Sequence, residues 1–129
     1  MEERITTCGV AEENGLFLVA KRMKGGPLSA KWEFVGGKNR WGESVEETLE
    51  REWKEELNLS VEVGEYLTKT EFTNECTHYT LICHRVKVKG GEIKLSVHQE
   101  TRWVDKKGLL ELEYGDSDSA IKDWIVKNL

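Results

Sequence analysis

The chain has 129 residues, a length that fits one compact domain able to bury about two-thirds of its unfolded surface. With 38% hydrophobic and 33% charged residues, five tryptophans and a single proline, it is neither disordered nor fibrous in composition. A net charge of −5 argues against a basic surface for nucleic acid polymers, and no apolar run reaches the roughly 20 residues of a membrane-spanning helix.

The start, Met1-Glu2-Glu3-Arg4, lacks the character of a secretory signal, and Cys8, Cys76 and Cys83 form no Cys-x-x-Cys pair and are odd in number. Both features predict a protein of a reducing compartment, the cytoplasm. Cys76, His78, Cys83 and His84 lie close in sequence, but their spacing matches no usual zinc pattern. They read as ordinary residues of an alternating strand.

In chain order, residues 5–11 and 16–21 predict two strands around Asn14-Gly15, a dipeptide that accepts the positive φ angles of a tight hairpin. From 25 to 41, Gly25, Gly26, Pro27, Gly36 and Gly37 predict a loop with a short extended piece at 32–35, and long loops in compact domains often carry function. A helix is predicted to start at Ser44, where Ser44 and Glu47 complete a Ser-x-x-Glu capping box. It is predicted to stop near Asn58, which tolerates the left-handed conformation of a helix end.

Residues 61–72 and 77–88 then read as strands, Gly90-Gly91 predicts another hairpin leading to an extended stretch at 93–95, and 101–104 is a further short strand. Ala120, Ile121, Trp124, Ile125 and Leu129 stand at helical spacing and predict a last helix over about 117–128. The order β-β-α-β-β-β-α, with no linker or repeat, predicts one domain over 1–129 with a mixed sheet covered by helices.

The negative charge is localised. Residues 43–56 hold seven acids (Glu43, Glu46, Glu47, Glu50, Glu52, Glu55, Glu56) and two bases (Arg51, Lys54), while the seventeen acids and seventeen bases elsewhere cancel. On a helix, Val45, Leu49, Trp53 and Leu57 form one apolar arc. Glu56 projects inside that arc, Glu52 lies at its edge and Glu55 beside Glu52, whereas Glu47, Glu50 and Lys54 point away. Carboxylates gathered against apolar surface are costly unless protonated or neutralised by cations. An all-oxygen cluster suits magnesium or manganese.

From Gly37 the sequence runs through five residues to Glu43, through seven more to Arg51-Glu52-Trp53-Lys54-Glu55-Glu56, and ends in Leu57-Asn58-Leu59. It resembles the Nudix box, GX5EX7REUXEEXGU with U a bulky apolar residue. Asn58 stands where the family has glycine, and Trp53 is larger than the usual aliphatic residue. The segment Trp32-Glu33-Phe34-Val35-Gly36-Gly37-Lys38 is similar to the lead-in of MutT-like nucleotide pyrophosphohydrolases, with Val35 in place of the commoner proline. Lys21-Arg22 and Gln99-Glu100-Thr101-Arg102-Trp103-Val104 also look like that subgroup.

The resemblance implies an α/β (α+β) fold, a Nudix-type α/β/α sandwich with a mixed central sheet, one Nudix helix and a C-terminal helix. It implies magnesium-dependent hydrolysis of a nucleoside triphosphate to monophosphate and pyrophosphate, with oxidised guanine or cytosine nucleotides as candidate substrates and manganese as a substitute ion. By motif position, Glu52, Glu55, Glu56, Glu100 and the carbonyl of Gly36 would hold metal, and Arg51 would orient the glutamates. Glu55 and Glu100 compete for the role of general base and are read as sharing it.

Arg22 and Lys38 are the candidates for the phosphates, with Arg40 a weaker one, Phe34 for lining the base pocket and Asp118 for reading the base edge. Asp118 or Asp116 could equally cap the last helix. Other nucleoside diphosphate derivatives (a nucleotide sugar, a dinucleoside polyphosphate, a pterin triphosphate) and a non-catalytic nucleotide-binding module are the rival readings. A small-molecule nucleotide is the expected partner of a monomer or homodimer.

Overall fold

The structure, a computed structural model, describes residues 1–26 and 29–129; Pro27, cited above for the loop, lies outside the described residues. The first strand, β1 (Glu2–Glu13), turns at Asn14 (φ 52°) and Gly15 (φ 78°) into β2 (Leu16–Arg22). These are the positive angles expected of the Asn-Gly hairpin. A two-residue strand β3 (Trp32–Glu33) interrupts the following loop, and helix α1 (Val45–Leu57) leads into the long strands β4 (Ser60–Asn74) and β5 (Thr77–Gly90). Strand β6 (His98–Val104) and helices α2 (Lys106–Glu111) and α3 (Asp116–Asn128) complete the chain.

The six strands form one mixed sheet in the order β3-β2-β1-β5-β4, with β6 on the other edge of β2. β1 is its hub. It is antiparallel to β2 at Glu12 and Glu13, and parallel to β5 from the pair Glu2 and Thr77 to the pair Ala11 and Val86. The period of two in a strand divides the core cleanly along β2. Phe17 and Val19 join Cys8, Val10, Leu109, Ile121 and Ile125 under α2 and α3, while Leu18 and Ala20 join Leu49, Trp53 and Leu57 under α1. The result is the expected helix, sheet, helix sandwich.

Helix α1 forms as its sequence dictates. Ser44 Oγ accepts the Glu47 N–H at 3.0 Å, Glu47 Oε1 accepts the Ser44 N–H at 2.9 Å, and Asn58 (φ 60°, ψ 32°) ends the helix in the left-handed region. Asn58 Nδ2 also donates to Glu92 O at 3.0 Å. We expect Asn58→Ala to lower stability by about 1–2 kcal/mol, from strain at positive φ together with the lost bond. Asn58→Gly should stay within about 0.5 kcal/mol of wild type, since glycine relieves the strain while forfeiting the bond. Urea unfolding of the two variants measures both.

Three expectations are corrected. Residues 93–95 form no strand and Gly90-Gly91 opens no hairpin. The chain instead runs past the end of α1, where Lys94 N–H donates to Leu57 O (3.0 Å) and Ser96 Oγ to Glu55 O (3.0 Å), satisfying carbonyls that a helix end leaves free. Helix α2 is additional; Asp105 caps it through Gly108 N–H at 2.8 Å, and its six residues are too few to show a helical period. The strand expected at 101–104 begins earlier, at His98, so that Glu100 stands within β6 opposite Lys21 of β2. Of the cysteine and histidine group, His78, Cys83 and His84 lie in β5 as expected, Cys83 buried in the core and His84 bonding Gly64 O at 2.9 Å, whereas Cys76 is exposed in the turn between β4 and β5.

Candidate active site

The site is built where the loop 34–39 lies along β1 and α1 packs over it. Thr7 N–H donates to Gly37 O (2.9 Å), Gly9 N–H to Val35 O (2.8 Å) and Asn39 N–H to Ile5 O (3.0 Å), so the loop adds to the edge of β1 that its short ladder with β2 leaves open. Glycine is required at 36, where a Cβ would lie 2.0 Å from the backbone Thr7 O, and at 37 a Cβ would lie 2.4 Å from the Glu52 carboxyl carbon and displace that side chain. Both contacts are closer than real Cβ atoms approach.

Arg51 ties the acidic segment together. Its Nε donates to Glu43 Oε2 at 2.6 Å, Nη2 to Glu43 Oε1 at 3.0 Å and to Lys38 O at 3.1 Å, and Nη1 to Glu52 Oε1 at 2.7 Å and Glu55 Oε2 at 3.3 Å. Such forked, charge-assisted bonds are the strong kind. The guanidinium, with help from Arg40 N–H and Thr48 Oγ1, holds the Glu43 carboxyl at a pKa of about 2. Glu55 remains half exposed at 51%.

Glu56 differs from its neighbours. It is only 9% exposed, and its Oε2 has no hydrogen-bond partner among the described residues. Burial, followed by the hydrogen bond and charge of Glu52 and the charge of Glu33, pushes its pKa up to about 9. A carboxyl so placed is neutral at pH 7 unless a cation faces it.

Behind Glu56 stand two groups that sequence reasoning missed. Buried Glu33 on β3 accepts from Arg22 Nη1 (3.3 Å), and its Oε2 lies 2.8 Å from Nε2 of the fully buried His98 on β6. Ligating atoms of Glu33, Glu56 and His98 all lie within 4.8 Å of one another. Glu33 has only Trp32 beside it in β3, and His98 opens a strand whose next four residues, Gln99, Glu100, Thr101 and Arg102, are also polar, so no sequence signal marked either, and nothing in the chain linked residues 65 apart.

Asp118, at the start of α3, does not cap that helix. Its Oδ1 accepts the Phe34 N–H at 3.1 Å, while the N-cap is Gly115 with no side-chain bond. Burial and the Glu33 carboxylate push its pKa up to about 7. A cleft of about 710 Å3 opens in front of it, lined among others by Arg22, Lys24, Lys38, Phe72, Asn74 and Asp118. Three cations, Arg22, Lys24 and Lys38, thus line one cavity with two aspartates, Asp116 and Asp118. The Lys38 ammonium also sits 5.6 Å over the Tyr79 ring.

Phe34, Glu100 and Arg40 complete the expected set. Phe34 is buried, its ring stacked on Tyr114 at a centroid distance of 6.0 Å, and does not line the cleft. Glu100, on β6 opposite Lys21, accepts from Arg102 Nε at 3.0 Å. Arg40 contributes its backbone N–H to Glu43 Oε1 at 3.0 Å.

The fold thus sets a glycine loop against a helix whose Glu52 and Glu55 are gathered by Arg51, beside a cleft with Arg22, Lys24 and Lys38 in its lining. The model of the NUDIX domain family matches residues 3–125, and the chain belongs to that family of hydrolases acting on phosphorus-containing anhydrides. It is 32% identical over 128 residues to a provisionally named 8-oxo-dGTP diphosphatase 2 of Mycobacterium tuberculosis, covering 97% of this chain and 87% of that protein. It is 30% identical over 111 residues to the CTP pyrophosphohydrolase of Escherichia coli K12, covering 84% and 81%. The solution structure of the E. coli ORF135 protein superposes with a TM-score of 0.85 at 26% identity, covering 98% of this chain and 91% of that one. No helix among the described residues is long and apolar enough to cross a membrane.

Proposed function

We propose that the chain is a single domain, working in the cytoplasm, that hydrolyses nucleoside triphosphates to monophosphate and pyrophosphate with magnesium, manganese substituting. The observation that carries this reading is the unpartnered, buried carboxyl of Glu56 beside Glu52, next to a cleft lined by cations. The donor set fits a hard divalent ion: Glu52, Glu55 and Glu56 supply oxygen only, and the orphaned Glu56 oxygen is what such an ion would satisfy. When bound, the cation neutralises phosphate charge and lowers the pKa of a water.

The chain's own residues do the rest. Arg51 holds Glu52 and Glu55 in one orientation. Arg22 and Lys38 receive the phosphates in the cleft. Glu55, the most exposed of the three glutamates, accepts the proton of the attacking water. Glu100, which gives Oε2 to Arg102 and keeps Oε1 for another partner, shares that role.

Asp118 faces the base end. The cytosine and oxidised guanine nucleotides named for its relatives are the substrates to test first. An ionised Asp118 only accepts hydrogen bonds and favours a base that presents an amino group. With its pKa at about 7, that preference strengthens as the pH rises through 7 and the carboxyl loses its proton. Asp118→Asn, which can still accept the Phe34 N–H, should abolish this inflection and weaken KM for the preferred base about tenfold or more, as expected when a base-edge hydrogen bond is mismatched. Parallel pH profiles of kcat/KM for CTP measure it.

The function itself is tested by following pyrophosphate release from a panel of CTP, dCTP, dGTP and 8-oxo-dGTP with magnesium. Release from at least one member is expected. No turnover of any triphosphate contradicts the reading.

A further inference from the structure

The two places where this chain departs in bulk or stiffness from its family's pattern, Trp53 for an aliphatic residue and Val35 for proline, touch each other. Trp53 is fully buried on α1, and its indole Nε1–H donates to Val35 O at 2.9 Å. The same carbonyl accepts Gly9 N–H at 2.8 Å. The indole has room only because residue 9 is glycine: a Cβ there would lie 2.9 Å from Trp53 Nε1.

Two residues along, Gly37 O accepts both the N–H and the hydroxyl of Thr7, each at 2.9 Å. Val35 bonded to Gly9 and Gly37 bonded to Thr7 anchor the chain on both sides of Gly36, whose backbone lies so close to β1 that a Cβ there would stand 2.0 Å from Thr7 O. The carbonyl of Gly36 lies between these two anchored groups. None of these bonds uses it, and its neighbour Gly37 lies against the Glu52 carboxylate.

We propose that Trp53 is a positioning residue: its N–H anchors Val35 and so fixes the backbone at Gly36 and Gly37 beside the Glu52 carboxylate, supplying the restraint that a proline at position 35 would supply through its fixed φ. Gly9 belongs to the same device, since it admits the indole. The inference rests on the reading above that Gly36 and the α1 glutamates hold the cation. Proline at 35 would cost no hydrogen bond, because the Val35 N–H makes none among the described residues, and it would fix φ near −65°.

The probe is Mn2+ alone, its binding to the intact protein followed by electron paramagnetic resonance, with melting temperatures recorded beside it. Trp53→Phe keeps most of the ring volume and removes the donor; Mn2+ should bind about tenfold more weakly, the order that loss of a supporting partner costs a metal site. Val35→Pro alone should bind like wild type, and Val35→Pro combined with Trp53→Phe should return to within about twofold of it, although the packing lost with the indole is not restored. Where Trp53→Phe fails to fold, Gly9→Ala, which crowds the indole off Val35, should weaken Mn2+ binding to the same order.

Unchanged Mn2+ affinity in Trp53→Phe, whatever its melting temperature, overturns the inference, as does a double variant that binds no better than the single one; unchanged affinity in Gly9→Ala does so where that variant stands in. Wild type that takes up no Mn2+ overturns the metal reading and this inference together.

Discussion

Glu56→Gln should eliminate nearly all turnover, by more than the roughly 100-fold that loss of a mere supporting partner costs a metal site, while the protein folds as before. The glutamine is nearly isosteric and resembles the protonated carboxyl that the cation-free protein holds. Its effect on stability should run opposite to its effect on activity. Burial with Glu52 and Glu33 nearby raises the Glu56 pKa from 4.5 to about 9, so the folded state binds a proton that the unfolded state has released. The associated stability is fully present below about pH 4.5 and is lost as the pH rises through about 9. Without divalent ions the wild type should therefore melt progressively lower from neutral to alkaline pH, and Glu56→Gln should flatten that decline. Thermal melts from pH 6 to 9 in chelator, set beside kcat, measure both halves. A variant that keeps substantial activity removes Glu56 from the metal site.

The second large effect is expected at Arg51. Its side chain is 17% exposed and serves Glu43, Glu52 and Glu55 at once, so Arg51→Ala leaves three carboxylates facing one another. Removing one partner of a fully buried pair costs 3–5 kcal/mol; the remaining exposure reduces this to about 2–3 kcal/mol, or a fall in Tm of roughly 10 °C for a domain of this size. Lysine is a poor substitute because a single ammonium cannot span Glu43, Glu52 and Lys38 O together.

The acid limb of the stability curve should change as well. Glu43 has a folded pKa of about 2 against 4.5, so its contribution is present above 4.5 and lost as the pH falls toward 2. In Arg51→Ala that loss should largely disappear. Urea titrations at pH 3 and pH 7 of wild type, Arg51→Ala and Arg51→Lys give the comparison.

How far the chain could be read in advance depended on the distance over which each feature acts. Ser44 with Glu47 and the left-handed Asn58 bound α1 through contacts within four residues, and the helical period alone aimed Glu56 inward. The box spacing marked Gly37, Arg51 and Glu52, and they meet in space. By contrast, Glu33 and His98 are 65 residues apart and pair because β3 and β6 flank opposite edges of β2.

The stretch 93–95 looked like a strand because its alternation is real, but its backbone groups turn to the end of α1 instead of a neighbouring strand. Asp118 could be read as a cap or as a pocket residue. The structure removes the first by giving its carboxylate to Phe34 N–H. In the same way, Trp53 and Val35 were two separate departures from a pattern until the fold put one against the other.

The central claim is that the excess charge of residues 43–56 is a cation site serving a triphosphate. It is tested most directly by the melting temperature in chelator, in magnesium, and in magnesium with a non-hydrolysable nucleoside triphosphate, for wild type and for Glu52→Gln combined with Glu56→Gln. Ligands that bind only the folded state raise its melting temperature. The wild type should melt higher in magnesium and higher again with the triphosphate, and the double variant should show neither increase. A double variant that gains as much as wild type from both would place the cation and the nucleotide elsewhere and contradict the account.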